Sequence, residues 1–141
     1  MKKIYNILIF TFICNSFLFA QTEIKNPIDI QCEACLDSVE NQSTQGMYGC
    51  EWRAPAAWDI ELNKYYKLLL GSLDKDEQGK LKSAQKSWLS YKKSETDFYQ
   101  TSYTNKGGTT WQIFAASRAT EIIKARVLEL ESYYNILTYK E

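Results

Sequence analysis

Residues 58–98 read WDIELNKYYKLLLGSLDKDEQGKLKSAQKSWLSYKKSETDF, and this stretch decides the fold. Trp58, Leu62, Tyr65, Tyr66, Leu69 and Leu73 recur at steps of three and four, which places one apolar stripe along a helix. Asp74 then precedes Glu77 by three residues, a capping-box pattern whose carboxylates satisfy free N–H groups and meet the positive helix end. A second helix follows directly, with Leu81, Ala84, Trp88, Tyr91 and Phe98 as its predicted stripe. So short a connection predicts an antiparallel pair.

Outward from this pair the periodicity continues. Ala116, Ala119, Ile123, Val127, Leu130, Tyr134 and Leu137 predict a long helix from about Thr109 to Tyr139. Between the two, the polar segment 100–108 carries the only Gly-Gly and reads as an exposed loop. Upstream, residues 28–39 predict a short first helix, and Pro55 marks either a helix start or a kink before Trp58. No stretch alternates as a strand does. The expectation is an all-α fold, a small antiparallel bundle of three amphipathic helices plus a short N-terminal helix, with a core adequate for about 120 residues.

Residues 1–20, MKKIYNILIFTFICNSFLFA, place Lys2 and Lys3 before an apolar run that ends at Ala20, which is a signal-peptide pattern. Asn15 and Ser16 interrupt the run, so it falls short of the roughly 20 continuous apolar residues of a spanning helix. The reading is cleavage after Ala20, a single domain over 21–141, and no stable membrane span thereafter; an uncleaved N-terminal anchor is the alternative. Ile13 before Cys14 is too bulky for a lipid-attachment site. The destination is then periplasmic or secreted.

Removal of Lys2 and Lys3 leaves 15 basic and 17 acidic residues, with no basic excess for nucleic acid. Histidine is absent, which excludes Ser-His-Asp and Cys-His catalysis and most zinc sites. Three cysteines remain after cleavage, Cys32, Cys35 and Cys50, so an oxidising compartment predicts one pair and one leftover thiol. Cys32 and Cys35 form a C-x-x-C, but the redox reading needs a β-α-β sheet that this chain lacks. Asp59 and Glu61 stand two apart on a helix and so face different ways, unlike the opposed carboxylates of a glycosidase. No catalytic residue, cofactor or metal is predicted.

Several blocks occur in a specific order: Cys35 and Cys50 flanking Thr44-Gln-Gly-Met47; Trp58-Asp-x-Glu-Leu-Asn-x-x-Tyr66; Leu81-Lys-x-Ala-Gln-x-x-Trp-Leu-x-Tyr91; Gly107-Gly-Thr109; and Arg126-x-x-x-Leu130. From about Pro27 to Leu130 the chain resembles the N-terminal domain family of LprI-type lysozyme inhibitors. The resemblance implies a small, exported, helical protein that binds a protein partner, a lysozyme, and blocks peptidoglycan hydrolysis. The alternative is a non-catalytic helical envelope domain with a structural, stress-related or scaffold role and a different protein partner. Many relatives carry two further cysteines, at places that here look like Thr96 and Arg118; their joint absence implies that Cys35 pairs with Cys50 and that Cys32 is the extra thiol.

The resemblance also singles out side chains. Trp58, Leu62, Tyr66, Trp88 and Tyr91 are expected in the core. Asp59, Asn63, Gln85 and Arg126 lie beside stripe residues on three helices and are expected to form a hydrogen-bonded network at one level of the bundle, the alternative being a polar pocket that receives a ligand or partner group. The candidate partner-contact loop is Ser102, Tyr103, Thr104, Asn105 and Lys106, which offers a cation, hydroxyl donors and an aromatic anchor to a cleft lined by carboxylates.

Overall fold

A computed structural model describes residues 25–139. The signal segment and its cleavage point lie outside the described residues, which form helices only: α1 (Pro27–Asp37), a short 3₁₀ turn (Val39–Asn41), α2 (Thr44–Glu51), α3 (Ala54–Ser72), α4 (Lys75–Thr104) and α5 (Thr110–Leu137). The expected helical bundle is present. α2 lies outside every predicted helix, and the 3₁₀ turn begins at Val39, where the predicted first helix ends.

Local chemistry sets the helix starts. Asn26 accepts from the Ile28 N–H at 2.9 Å and Pro27 occupies the first turn of α1, where a missing N–H costs nothing. Ser43 caps α2 by accepting from the Gly46 N–H at 3.1 Å. Pro55 sits in the first turn of α3, which resolves it as a helix start. At α4 the capping box is complete: Glu77 N–H donates to Asp74 Oδ1 at 2.9 Å and Asp74 N–H to Glu77 Oε2 at 3.0 Å. The Gln78 amide also donates to the carbonyls of Leu70 and Leu73, closing the end of α3.

The core forms where α3 meets α5. Trp58, Leu62 and Leu69 pack with Ile123, Val127 and Leu130, and Trp58 and Leu130 are wholly buried. α2 and α4 also pack on α5, while α1 rests on α2 and α3. The Cys35–Cys50 disulfide, with Cα atoms 5.7 Å apart, ties α1 to α2. Lys124 spans α5 and α1, pairing with Asp29 at 2.6 Å while lying 5.5 Å over the Trp58 ring. Although α3 and α4 are consecutive, their backbones rarely approach each other; α5 is their common partner.

Two expectations need correction. On α4, Leu81 and Trp88 pack against the core, but Gln85 and Tyr99 are buried whereas Ala84, Tyr91 and Phe98 are exposed. Tyr91 keeps 48% of its surface and is not a core residue. The inward face runs through positions 81, 85, 88, 92, 95, 96 and 99, because Lys92 lays its stem along this face with its ammonium 5.5 Å over the Trp88 ring. Reading only apolar residues rotated the stripe.

The second correction concerns 100–108. α4 continues to Thr104, so Ser102, Tyr103 and Thr104 are helical and Asn105 is the C-cap. Tyr103 holds the extra turn: its ring lies 5.9 Å from buried Tyr99 and 5.8 Å from Trp111 at the start of α5. The connection is confined to residues 105–109, where Gly107 and Gly108 adopt φ of 71° and 88°, backbone conformations that disfavour any side chain. At the other end of the last stripe, Leu137 is exposed.

Candidate functional site

The four polar residues singled out in the sequence divide into two groups. In the interior, Arg126 Nε donates to Gln85 Oε1 at 3.1 Å, linking α5 to α4, and its Nη1 donates to Glu129 Oε2 at 2.6 Å. Toward solvent, the Asn63 amide donates to the Asp59 carbonyl at 2.8 Å and to its carboxylate at 3.2 Å, with Lys92 at 3.7 Å from the same carboxylate. Asp59, Asn63 and Gln85 line one cleft of about 370 Å³ with Tyr66 and Trp88, in the gap between α3 and α4. Arg126 approaches Gln85 from the side of α5. Glu61 turns to Lys64 at 2.8 Å, which leaves Asp59 and Glu61 unassociated.

Other polar ties join the helices. Tyr65 on α3 donates to Glu131 on α5 at 2.6 Å, a bond that holds the phenol protonated and pushes its pKa up to about 12. Arg118 on α5 meets Glu95 on α4 at 3.3 Å. This ion pair lies beside Thr96 and includes Arg118, the two places where the resemblance locates extra cysteines in relatives. A surface ion pair of this kind contributes about 0–1 kcal/mol, less than a disulfide.

Cys32 is unpaired, half-buried and adjacent to the disulfide, lining a cavity of about 90 Å³ with Cys35 and Cys50. Burial, and then the charges of Glu51, Asp29 and Glu33, push its thiol pKa up. A reactive cysteine needs the opposite environment. The Glu51 carboxyl is raised too, by burial first and then by Glu121. Among the described residues no cluster of three or more His, Cys, Asp or Glu side chains is arranged to hold a metal, and no helix is long and apolar enough to cross a membrane.

The proposed contact residues sit at the α4–α5 end of the bundle. Asn105 and Lys106 are exposed in the turn, Thr104 is exposed on the last helical turn, and Ser102 and Tyr103 are half-buried. Beside them lies a larger feature that sequence reading missed, a cleft of about 610 Å³ lined by the rings of Tyr48, Trp52, Tyr103 and Trp111. Trp52 and Trp111 fall outside every predicted stripe, and Trp111 follows the Gly-Gly by three residues. Those two facts were the available signal.

The family model described as Lysozyme inhibitor LprI matches residues 35–130, a span that holds the disulfide, the Gln85–Arg126 contact and the glycine turn. No curated protein matches the chain significantly. Among solved structures, the crystal structure of an uncharacterized protein from Burkholderia thailandensis is similar, with a TM-score of 0.74 and 24% identity over 81% of this chain. The similarity covers 56% of that protein's chain and supports the fold alone. With a family match across most of its length and the expected helical, disulfide-tied architecture, the chain belongs to the LprI lysozyme inhibitor family.

Proposed function

We propose that the protein is an exported, non-catalytic inhibitor that binds a lysozyme and obstructs its substrate cleft. The family match over residues 35–130 carries this reading. An oxidised Cys35–Cys50 pair is consistent with export, since such bonds persist outside the reducing cytoplasm.

For the contact surface the proposal is the α4–α5 end, with Ser102, Tyr103, Thr104, Asn105 and Lys106. A glycosidase cleft carries carboxylates, and the exposed Lys106 ammonium with neighbouring amide and hydroxyl donors is complementary to them. The φ values of Gly107 and Gly108 let the turn reverse tightly, so Lys106 is presented on a short connection between two long helices rather than on a free loop. Tyr103 acts as the packed base of this projection, because its ring is engaged by Tyr99 and Trp111.

The test is a binding measurement with oxidised protein spanning residues 21–141 against chicken-type, invertebrate-type and goose-type lysozymes. Binding to at least one class is expected, weakened about tenfold or more in Lys106→Glu, which turns attraction into repulsion. Absence of binding to all three would overturn the inhibitor reading. Unaltered binding of Lys106→Glu would overturn only the placement of the contact.

A further inference from the structure

We propose that the aromatic cleft between α2 and the α4–α5 turn is a binding site for a neutral saccharide chain. This goes beyond the inhibitor reading and does not depend on it.

The lining has a particular chemistry. α2 supplies Tyr48 and its C-cap is Trp52, and the two rings lie 5.6 Å apart and are tilted by only 33°. α4 and α5 supply Tyr103 and Trp111, 5.8 Å apart and tilted by 36°. Two aromatic pairs from different helices thus line one concave space of about 610 Å³, within the roughly 300–1,000 Å³ range of small-ligand sites. Trp52 leaves 61% of its surface in water, a large apolar area with no covering element among the described residues. Amide and hydroxyl groups come from Gln100, Thr104, Thr109 and Gln112, all exposed. None of the side chains lining the cleft is charged.

A sugar ring matches that combination. Its C–H faces are apolar and slightly positive, so they stack on the negative face of an aromatic ring, while its rim of hydroxyls needs neutral donors and acceptors. An anionic or cationic ligand would find no counter-charge in this lining. A purely apolar ligand would bury the glutamine and threonine groups without satisfying them. Two aromatic pairs rather than one favour a chain of sugars over a single ring.

The experiment titrates the oxidised protein with chitotetraose, an uncharged oligosaccharide, and reads tryptophan fluorescence and heat. Saturable binding at one site per chain is expected, with a dissociation constant on the order of 1 mM or tighter. Trp58 is wholly buried and half-buried Trp88 lies in a different cleft, so a spectral shift that disappears in Trp52→Ala reports on the proposed site. Trp52→Ala should weaken binding about tenfold or more with an unchanged helical circular dichroism spectrum, since its ring lies mostly in water. Trp111→Phe should weaken it less, and Lys106→Glu, whose side chain is outside the lining, should leave it unchanged. No saturable signal up to about 10 mM saccharide would overturn the proposal. So would equal binding by Trp52→Ala and wild type, or a loss of lysozyme binding in Trp52→Ala with no saccharide binding by either protein, which would assign the cleft to a protein partner.

Discussion

Arg126 on α5 donates from Nε to Oε1 of Gln85 on α4 at 3.1 Å, and each residue keeps only 7% of its surface in water. α4 contributes few large apolar groups to the core, and this bond is its one buried polar attachment to α5 among the described residues. A buried donor left without its acceptor costs about 1–3 kcal/mol. Gln85→Leu should therefore lower unfolding stability by that amount, read as a fall in the urea midpoint at constant slope. A change below about 0.5 kcal/mol would mean that Arg126 finds another acceptor.

The disulfide closes a separation of 15 residues between α1 and α2. In the chain-entropy description such a loop contributes about 3 kcal/mol. The double variant Cys35→Ser with Cys50→Ser should lose about that much, and reducing the wild type should reproduce the loss. If reduction destabilises the wild type and the double variant equally, the bridge is not the cause.

Gly46 faces the backbone of the preceding 3₁₀ turn. A Cβ there would lie 2.6 Å from Cα of Asn41, and backbone cannot move aside as a flexible side chain does. Gly46→Ala should destabilise by about 1–3 kcal/mol. Gly49→Ala is the control on the same helix: its Cβ would meet nothing within 4 Å, so it should be neutral or stabilising by up to about 1 kcal/mol. Thermal melts of the pair distinguish close approach from a general aversion to alanine.

Tyr65 confers a dependence on alkaline pH. Its hydrogen bond to Glu131 raises the phenol to about 12 in the folded protein, against about 10 for a free tyrosine. The folded state thus holds this proton more tightly than the unfolded chain. The resulting stabilisation is fully present below pH 10 and is lost as pH rises through the folded value near 12. The stability difference between wild type and Tyr65→Phe should be constant at neutral pH and shrink across that window. A difference that stays flat through about pH 12 would contradict the assignment.

Much of the scaffold was legible in sequence. α3 and α5 declare themselves by apolar spacing, and Asp74 with Glu77 marks the start of α4 to the residue. α4 itself was legible in extent but not in rotation. Its inward face includes Gln85, which the family block already pointed toward a neighbouring helix, and the stem of Lys92, which a polarity reading assigns to solvent, whereas Tyr91 and Phe98 are apolar and outside. α2 is eight residues long with two glycines, too short and too poor in helix formers to show a period. Ser102 to Thr104 read as loop because their composition is polar; the helix persists there through the Tyr99–Tyr103–Trp111 contacts, which no local rule reports. Asp59 and Asn63 lie on α3, Gln85 on α4 and Arg126 on α5, and their division into an interior pair and a solvent-facing pair depends on how far α3 stands from α4. The aromatic cleft was invisible for a similar reason, since Tyr48 and Trp111 are 63 positions apart and meet only through the packing of α2 on α5.

The central claim is inhibition, and the most direct measurement is the rate of peptidoglycan lysis by lysozyme as oxidised protein is added. The account predicts that the rate falls in proportion to added protein and is abolished near equimolar amounts for at least one lysozyme class, with Lys106→Glu requiring a clear excess. Undiminished lysis by chicken-type, invertebrate-type and goose-type lysozymes at a large molar excess of inhibitor would contradict it.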